Sequence, residues 1–423
     1  MKIKNTYKKI VSNNTILNGV LYTFFSFCNT GVNFLLLLVL SKFLSPSEYG
    51  YLNLFNTIVL LLSILISCNT EKIICVDYYR VTKDYTSNTI TSILLFSLGV
   101  GCLLSGLTII FKDIIALEFG FDVKYIIVAI SYCICNLVSS VNLAIWKAES
   151  HPKSYGIYSL SIVFFNCIGT IILLIFFSLG WISRALSQFY VSVIFAIIGL
   201  FVLYKKEYLG IKAMPKWINL KTALHFGLPM IPNSISWWAM QGVNRFVINS
   251  HYGPAEVGLY SFATNFANIL QIIGVAFAQS YHVDVYQKLS KKESGYCDYL
   301  KKISRKLIIT FGVLASIIVL FSYLIIPILF QNYIDSLKFL LPLFIGAYAH
   351  CVNLLFVCYL LYNKKTKWLM NITFVVSGLN VLLGVLFIQY NLLLAAYISM
   401  ISEILIMILY MYYAYKLEII KIV

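Results

Sequence analysis

Charge is what this chain of 423 residues has least of: 11% of its residues are Asp, Glu, Lys or Arg, and only 16 are acidic. A water-soluble domain carries about a quarter of its residues as charges to cover its surface. A soluble globular protein is therefore excluded. Sizeable hydrophilic segments are missing too. On one side of the chain's alternating connections the longest loop, 112–124, offers only Asp113, Glu118 and Asp122 as carboxylates. That excludes an enzyme with an outer catalytic domain, such as a membrane glycosyltransferase or polysaccharide polymerase. None of the ten cysteines forms a Cys-x-x-Cys pair, so neither a zinc site nor a disulfide framework is indicated. The cysteines read as small apolar packing residues.

What is present is apolar sequence in long uninterrupted runs. Apolar residues make up 60% of the chain and the mean hydropathy is +0.86. Runs of about 18 or more apolar residues read as membrane spans. The expected fold is an all-α integral membrane protein with twelve transmembrane helices. The first six are 17–40, 49–68, 86–111, 125–146, 155–178 and 185–204. The second six are 223–248, 258–280, 306–328, 338–361, 367–388 and 392–415. Lys2, Lys4, Lys8 and Lys9 precede the first run as they would in a signal peptide, but that run is too long for a cleaved segment and ends without a small-residue cleavage site. It is expected to be a retained span.

The +16 net charge has an address. Of the 32 Lys and Arg residues, 24 fall in the termini and alternate connections that share one side, and 4 fall on the other. This asymmetry puts both termini in the cytoplasm. It also removes nucleic acid as the reason for the basic balance, since no basic face large enough to bind it is left. Loop 281–305 is expected to be an amphipathic helix or helix extension, either solvated or in contact with anionic lipid headgroups.

Two segments repeat. Pro46-Ser-Glu48-Tyr-Gly50 and Pro254-Ala-Glu256-Val-Gly258 both read P-x-E-x-G, 208 residues apart, each opening a span from an outer loop. Proline and glutamate suit the first turn of a helix, where donors are unpaired and the dipole favours negative charge. Six spans separate the copies, so the halves share one orientation. Two six-helix bundles are expected, 1–204 and 223–423, joined by a cytoplasmic linker at 205–222 and packed around a central cleft. Parallel repeats of this kind typically rock to expose such a cleft to alternate sides.

At this point the residues resemble a family. Phe226-Gly-Leu-Pro229-Met-Ile-Pro232-Asn233-Ser-Ile-Ser-Trp237-Trp238, followed by Asn244-Arg245-Phe246 and Gly253-Pro-Ala-Glu256-Val-Gly258-Leu-Tyr260, is similar to the mid-chain signature of Wzx-type polysaccharide flippases. These O-antigen and capsule repeat-unit exporters share a superfamily with multidrug antiporters and the lipid II flippase. Ser41-Lys-Phe-Leu-Ser-Pro46-Ser-Glu48-Tyr-Gly50 matches their first loop. The family commonly has Asp-Arg where this chain has Asn244-Arg245. The resemblance implies a polyprenyl-diphosphate-linked oligosaccharide as substrate, moved from the cytoplasmic to the outer leaflet by alternating access. It also implies membrane lipids and a polysaccharide polymerase as partners. No cofactor is expected, and coupling to a proton or sodium gradient is left open.

Ionisable groups inside spans are rare and costly. Glu403 lies mid-way along the last span and His350 mid-way along the tenth, near Asn353 and Asn380. Glu403 and His350 are the candidates for ion coupling. The bland reading is a protonated carboxyl bonded to a neighbouring helix and a packed histidine. Arg245 suits phosphate, since a guanidinium forks onto it, although its position also permits snorkelling to the interface. Arg184 is expected in the outer loop before span six as an ordinary interfacial cation. Amides recur in spans one, two, seven and eight, which the resemblance places around the cleft. Asn29, Asn33, Asn56, Asn233, Gln241, Asn244 and Asn268 are the candidates for sugar hydroxyls. Interhelical hydrogen bonding is the alternative for each. Trp237 sits mid-span, where it either stacks on a sugar or packs between helices. The competing function is a cation-coupled multidrug antiporter of the same superfamily. That activity needs an acidic cluster, and Glu403 alone supplies a carboxylate inside a span.

Overall fold

The computed structural model describes residues 2–113, 121–210, 213–291 and 296–416. Glu118 of the second outer loop and Lys421 near the C-terminus lie outside these residues. Every regular element among the described residues is helical: α1 (Lys2–Phe43), α2 (Pro46–Ser67), α3 (Lys72–Asp77), α4 (Lys83–Ile110), α5 (Lys124–Ala148), α6 (Pro152–Phe177), α7 (Ile182–Lys205), α8 (Trp217–Gly227), α9 (Ile231–Tyr252), α10 (Pro254–Lys291), α11 (Tyr296–Leu329), α12 (Leu337–Tyr362), α13 (Thr366–Phe387) and α14 (Leu394–Lys416). Loop 281–305 is largely taken up by the extensions of α10 and α11.

Eleven of the helices are long and apolar enough to cross a membrane. The seventh expected span, 223–248, differs from the rest. It is divided into α8, a 3-10 turn at Leu228–Met230, and α9. Pro229 and Pro232 explain the division, because each lacks the N–H that would continue the preceding turn and each readily starts a new one. Asn233, Gln241, Asn244, Arg245 and Asn249 keep α9 out of the apolar eleven. Such a helix is tolerable at membrane depth only if its polar face lines protein or a wet cavity.

The chain divides into two compact units. The first comprises Met1–Leu38 and Phe55–Ile231, and the second Val39–Leu54 and Pro232–Val423. The end of α1 and the start of α2 thus belong to the second unit. In the first unit α7 packs on α5 and α6, while α4 packs on α5 and α8. In the second, α12 is the central helix, packed on α10, α11 and α14, with Phe339, Phe344, Phe356 and Tyr359 fully buried.

Burial follows membrane rules rather than those of soluble proteins. Large apolar residues such as Phe176, Ile110 and Leu324 are exposed, whereas Thr57, Ser183, Asn244, Ser261 and Asn380 are completely buried. Hydrocarbon outside leaves no reason to hide leucine, and small or polar residues let helices approach and bond. Buried hydroxyls mostly turn back onto their own helix, as Thr170 does onto the Asn166 carbonyl at 2.6 Å.

The P-x-E-x-G copies meet inside the second unit. A Cβ placed on Gly50 would lie 1.8 Å from the Pro254 carbonyl oxygen, and one on Gly258 would lie 1.9 Å from that of Pro46. Only glycine permits backbones this close. Around this contact Tyr49 is buried against Phe262 and Tyr333, and the Tyr333 hydroxyl donates to the Leu44 carbonyl at 2.9 Å.

Candidate functional site: a polar cavity in the second unit

Helical spacing builds the site. On α9, Gln241 and Arg245 are four residues apart and share a face. On α10, Tyr260, Thr264, Asn268 and Gln271 do the same over three turns. These faces meet Leu343, Gly346 and Ala347 of α12, Asn380 of α13, and Ser399, Met400 and Glu403 of α14 around a cavity. Gly346 lets α12 and α14 pack closely beside it: a Cβ there would lie 3.3 Å from the Met400 Cα. Four amides, three hydroxyls, one guanidinium and one carboxylate therefore line a pocket surrounded by apolar helices.

Glu403 is held at three points. His350 Nδ1 lies 3.2 and 3.3 Å from its two carboxylate oxygens, and Asn353 Nδ2 donates to Oε2 at 3.1 Å. Both side chains of the His350–Glu403 pair are about 15% exposed. Trp237 presents an edge contact to the imidazole, with ring centres 5.7 Å apart at 83°. Glu403 of α14 is thus brought together with His350 and Asn353 of α12, residues that sequence position put near mid-depth in two separate spans. Asn380 also lines the cavity, but its amide donates to Ser402 Oγ at 2.9 Å rather than to Glu403.

The other candidates separate. Arg245, Gln241 and Asn268 line the cavity, so Arg245 does not snorkel away from it. Asn244 is fully buried and donates to Ser399 Oγ at 3.1 Å, and its Oδ1 faces Gly384 across a gap with no room for a Cβ. It packs the wall behind the cavity. Asn233 is exposed and accepts from Thr373 Oγ1 at 3.3 Å. Trp237 does not line the cavity, and its ring packs on His350 instead.

Asn29, Asn33 and Asn56 belong to the first unit. Asn33 donates to the Asn29 carbonyl at 3.0 Å and accepts at 3.1 Å from Arg184 Nη2. This corrects the expectation for Arg184. Helix α7 begins at Ile182, so Arg184 lies in its first turn, and its guanidinium also reaches Thr170 Oγ1 at 3.5 Å. Its partners come from α1 and α6, which linear position could not reveal. Sequence reading also passed over Thr264 and Ser399, whose hydroxyls carry no signal apart from their helical register. No group of three His, Cys, Asp or Glu residues suited to a metal occurs among the described residues.

With this geometry in place, comparison with known proteins gives the family. Residues 39–338 match the family described as polysaccharide biosynthesis protein. The chain belongs to that family. It is 24% identical over 341 residues to an uncharacterised membrane protein of Haemophilus influenzae, covering 79% of this chain and 81% of the relative. It is 22% identical over 284 residues to the Lsg locus putative protein 1 of the same organism, covering 65% of this chain and 67% of that one. Among solved structures, the fold is that of the lipid II flippase MurJ in an inward closed conformation, with a TM-score of 0.72, 15% identity, and coverage of 93% of this chain and 87% of that one. An inward-facing multidrug resistance MATE transporter of the MOP superfamily gives 0.70 and 14%, with coverage of 92% and 94%. With eleven helices long and apolar enough to cross a membrane, the protein is a multi-pass membrane protein. The resemblance read from the sequence holds at the level of the polysaccharide biosynthesis family, and the fold is shared with the lipid II flippase and the multidrug resistance transporter.

Proposed function

We propose that this family member flips a polyprenyl-diphosphate-linked oligosaccharide repeat unit from the cytoplasmic to the outer leaflet for surface polysaccharide synthesis. The supporting observation is the chemistry of the cavity: a single guanidinium among four amides and three hydroxyls. Arg245 forks onto phosphate oxygens, and Gln241, Asn268 and Gln271 offer neutral donors and acceptors to sugar hydroxyls. The polyprenyl chain stays in hydrocarbon throughout. The protein sits in the bacterial inner membrane with both termini cytoplasmic, as the charge asymmetry argues, and hands its product to a polymerase outside.

Glu403 and His350 carry proton coupling in this scheme. A carboxylate bonded to an imidazole at 3.2 Å passes one proton between two sites, and the cavity gives that proton access to water. With its oxygens occupied by His350 and Asn353, Glu403 has less capacity left for a sodium ion. The same carboxylate supports the second reading, export of cationic compounds, because it faces the cavity.

Reconstitution into liposomes with a labelled polyprenyl-diphosphate oligosaccharide separates the readings. Protein-dependent appearance of the label outside, accelerated by a pH gradient, is expected. Full activity in both Arg245→Ala and Glu403→Gln would remove the site assignment. Uptake of a cationic dye with no lipid translocation would replace the flippase with the antiporter.

A further inference from the structure

Helix α8 is built inside out for a segment at the lysine-rich end of the bundle. Its inward face is Asn219, Ala223 and Gly227, one residue per turn. Asn219 donates its amide to the Tyr85 carbonyl and to Thr89 Oγ1, both at 3.0 Å. Gly227 lies so close to the turn after α2 that a Cβ would stand 2.2 Å from the Cys68 carbonyl oxygen. Just ahead of the helix, Lys216 N–H donates to Ser92 Oγ at 3.0 Å. The helix is thus fixed on α4 and on the 68–70 turn through polar and backbone contacts.

Its outward face carries the apolar residues. Trp217 and Ile218 are 73% and 61% exposed, and Met214 before the helix is equally bare. At eleven residues, or about 16 Å, α8 is too short to cross a hydrocarbon core of about 30 Å. A helix that buries an amide and presents tryptophan belongs at the membrane–water boundary, where an indole places its ring in the acyl region and its N–H among headgroups. The linker 205–222 also holds five lysines against one carboxylate, Glu207, which Lys83 engages at 2.7 Å. Lys216 and Lys221 are exposed on or beside the same face, and neither is paired with a described carboxylate.

We infer that α8 is an interfacial docking helix for anionic phospholipid: Trp217 and Ile218 enter the leaflet at the lysine-rich face while Lys216 and Lys221 hold the lipid phosphates. The partner is a lipid surface rather than a soluble anion, because the apolar and basic residues alternate along one exposed strip. The chain passes into α9, which carries Gln241 and Arg245, directly after this anchor and its 3-10 turn. Docking therefore fixes the segment from which the cavity helix starts. This inference does not depend on what the cavity transports.

The test uses the full-length protein in phosphatidylcholine vesicles, with phosphatidylglycerol titrated in and a bromine-labelled fraction as quencher. The signal is the emission difference between the intact protein and Trp217→Phe, which isolates position 217 from the other five tryptophans. Quenching that deepens with phosphatidylglycerol is expected. Lys216→Gln combined with Lys221→Gln should shift the titration midpoint about 25-fold, or about fivefold per lysine. Lys221→Arg should restore most of its share. A water-like, unquenched Trp217 at every composition overturns the docking. Equal quenching with and without phosphatidylglycerol, unchanged in the double variant, overturns the anionic-lipid assignment.

Discussion

The two P-x-E-x-G copies use the same letters differently. At 46–50, Glu48 closes a capping box on its own helix: Ser45 N–H and Oγ donate to the carboxylate at 3.0 and 3.1 Å, and Glu48 N–H donates back to Ser45 Oγ at 3.3 Å. At 254–258 the residue before the proline is glycine, so no hydroxyl returns the cap, and Glu256 instead pairs with Lys338 at 3.2 Å. The glycines do not diverge. Gly50 rests on the Pro254 carbonyl and Gly258 on that of Pro46, each copy supplying the surface the other needs. A residue bound by a reciprocal backbone contact is fixed in both copies, while one whose partner is a side chain is free to change it.

The two half-buried arginines extend the contrast. Arg184 in the first unit is held by an amide and a hydroxyl. Arg245 in the second lines a cavity that also contains a carboxylate. The first arrangement reads as a structural tie, the second as a binding surface.

The largest expected effect is at the glycines. Gly50→Val and Gly258→Val should each destabilise by about 3 kcal/mol or more, since backbone rather than a flexible side chain stands in the way. Loss of the monodisperse peak in size-exclusion chromatography reads this out. If only one variant collapses, the contact is not reciprocal and the comparison breaks. Next come the arginines. Arg184→Gln should lower stability by about 1–3 kcal/mol through the acceptors it leaves unpaired, with residual transport following the folded fraction. Arg245→Gln should cut transport about tenfold or more at unchanged melting temperature. An unstable Arg245→Gln with normal transport per folded molecule would reverse the two roles.

The glutamates should differ by less. Glu48→Ala removes a cap and should cost about 1 kcal/mol. Glu256→Ala removes a partly exposed ion pair and should cost about 0.5 kcal/mol or less, a loss that disappears in high salt. Thermal melts at two ionic strengths distinguish them.

The smallest effect concerns Glu71, in the turn region between α2 and α4 where burial raises its carboxyl pKa and leaves one oxygen without a partner. A carboxyl with a raised folded-state pKa costs nothing while protonated in both states. Its penalty grows as pH rises from the unfolded value through the folded one, then levels off. Glu71→Gln should therefore raise the melting temperature by about a degree or less at pH 8 and leave it unchanged at pH 4.

The apolar runs determined the helices, because in hydrocarbon a backbone can satisfy its hydrogen bonds only within a helix or a closed barrel, and runs of twenty apolar residues have no other use. Pro229 and Pro232 marked the weak seventh span, since a missing N–H is a local property. Glu403 and His350 were legible as candidates because charge inside a span is conspicuous wherever it falls. What linear order could not supply was partnership. That Glu403 meets His350 and Asn353 but not Asn380, that Asn244 packs against Gly384 while Arg245 lines the cavity, and that Arg184 turns inward onto Asn33 depend on the rotation of each helix about its axis and on which neighbour it packs against. Small and polar residues set those rotations through contacts between segments far apart in the chain, and only the tertiary structure holds such contacts.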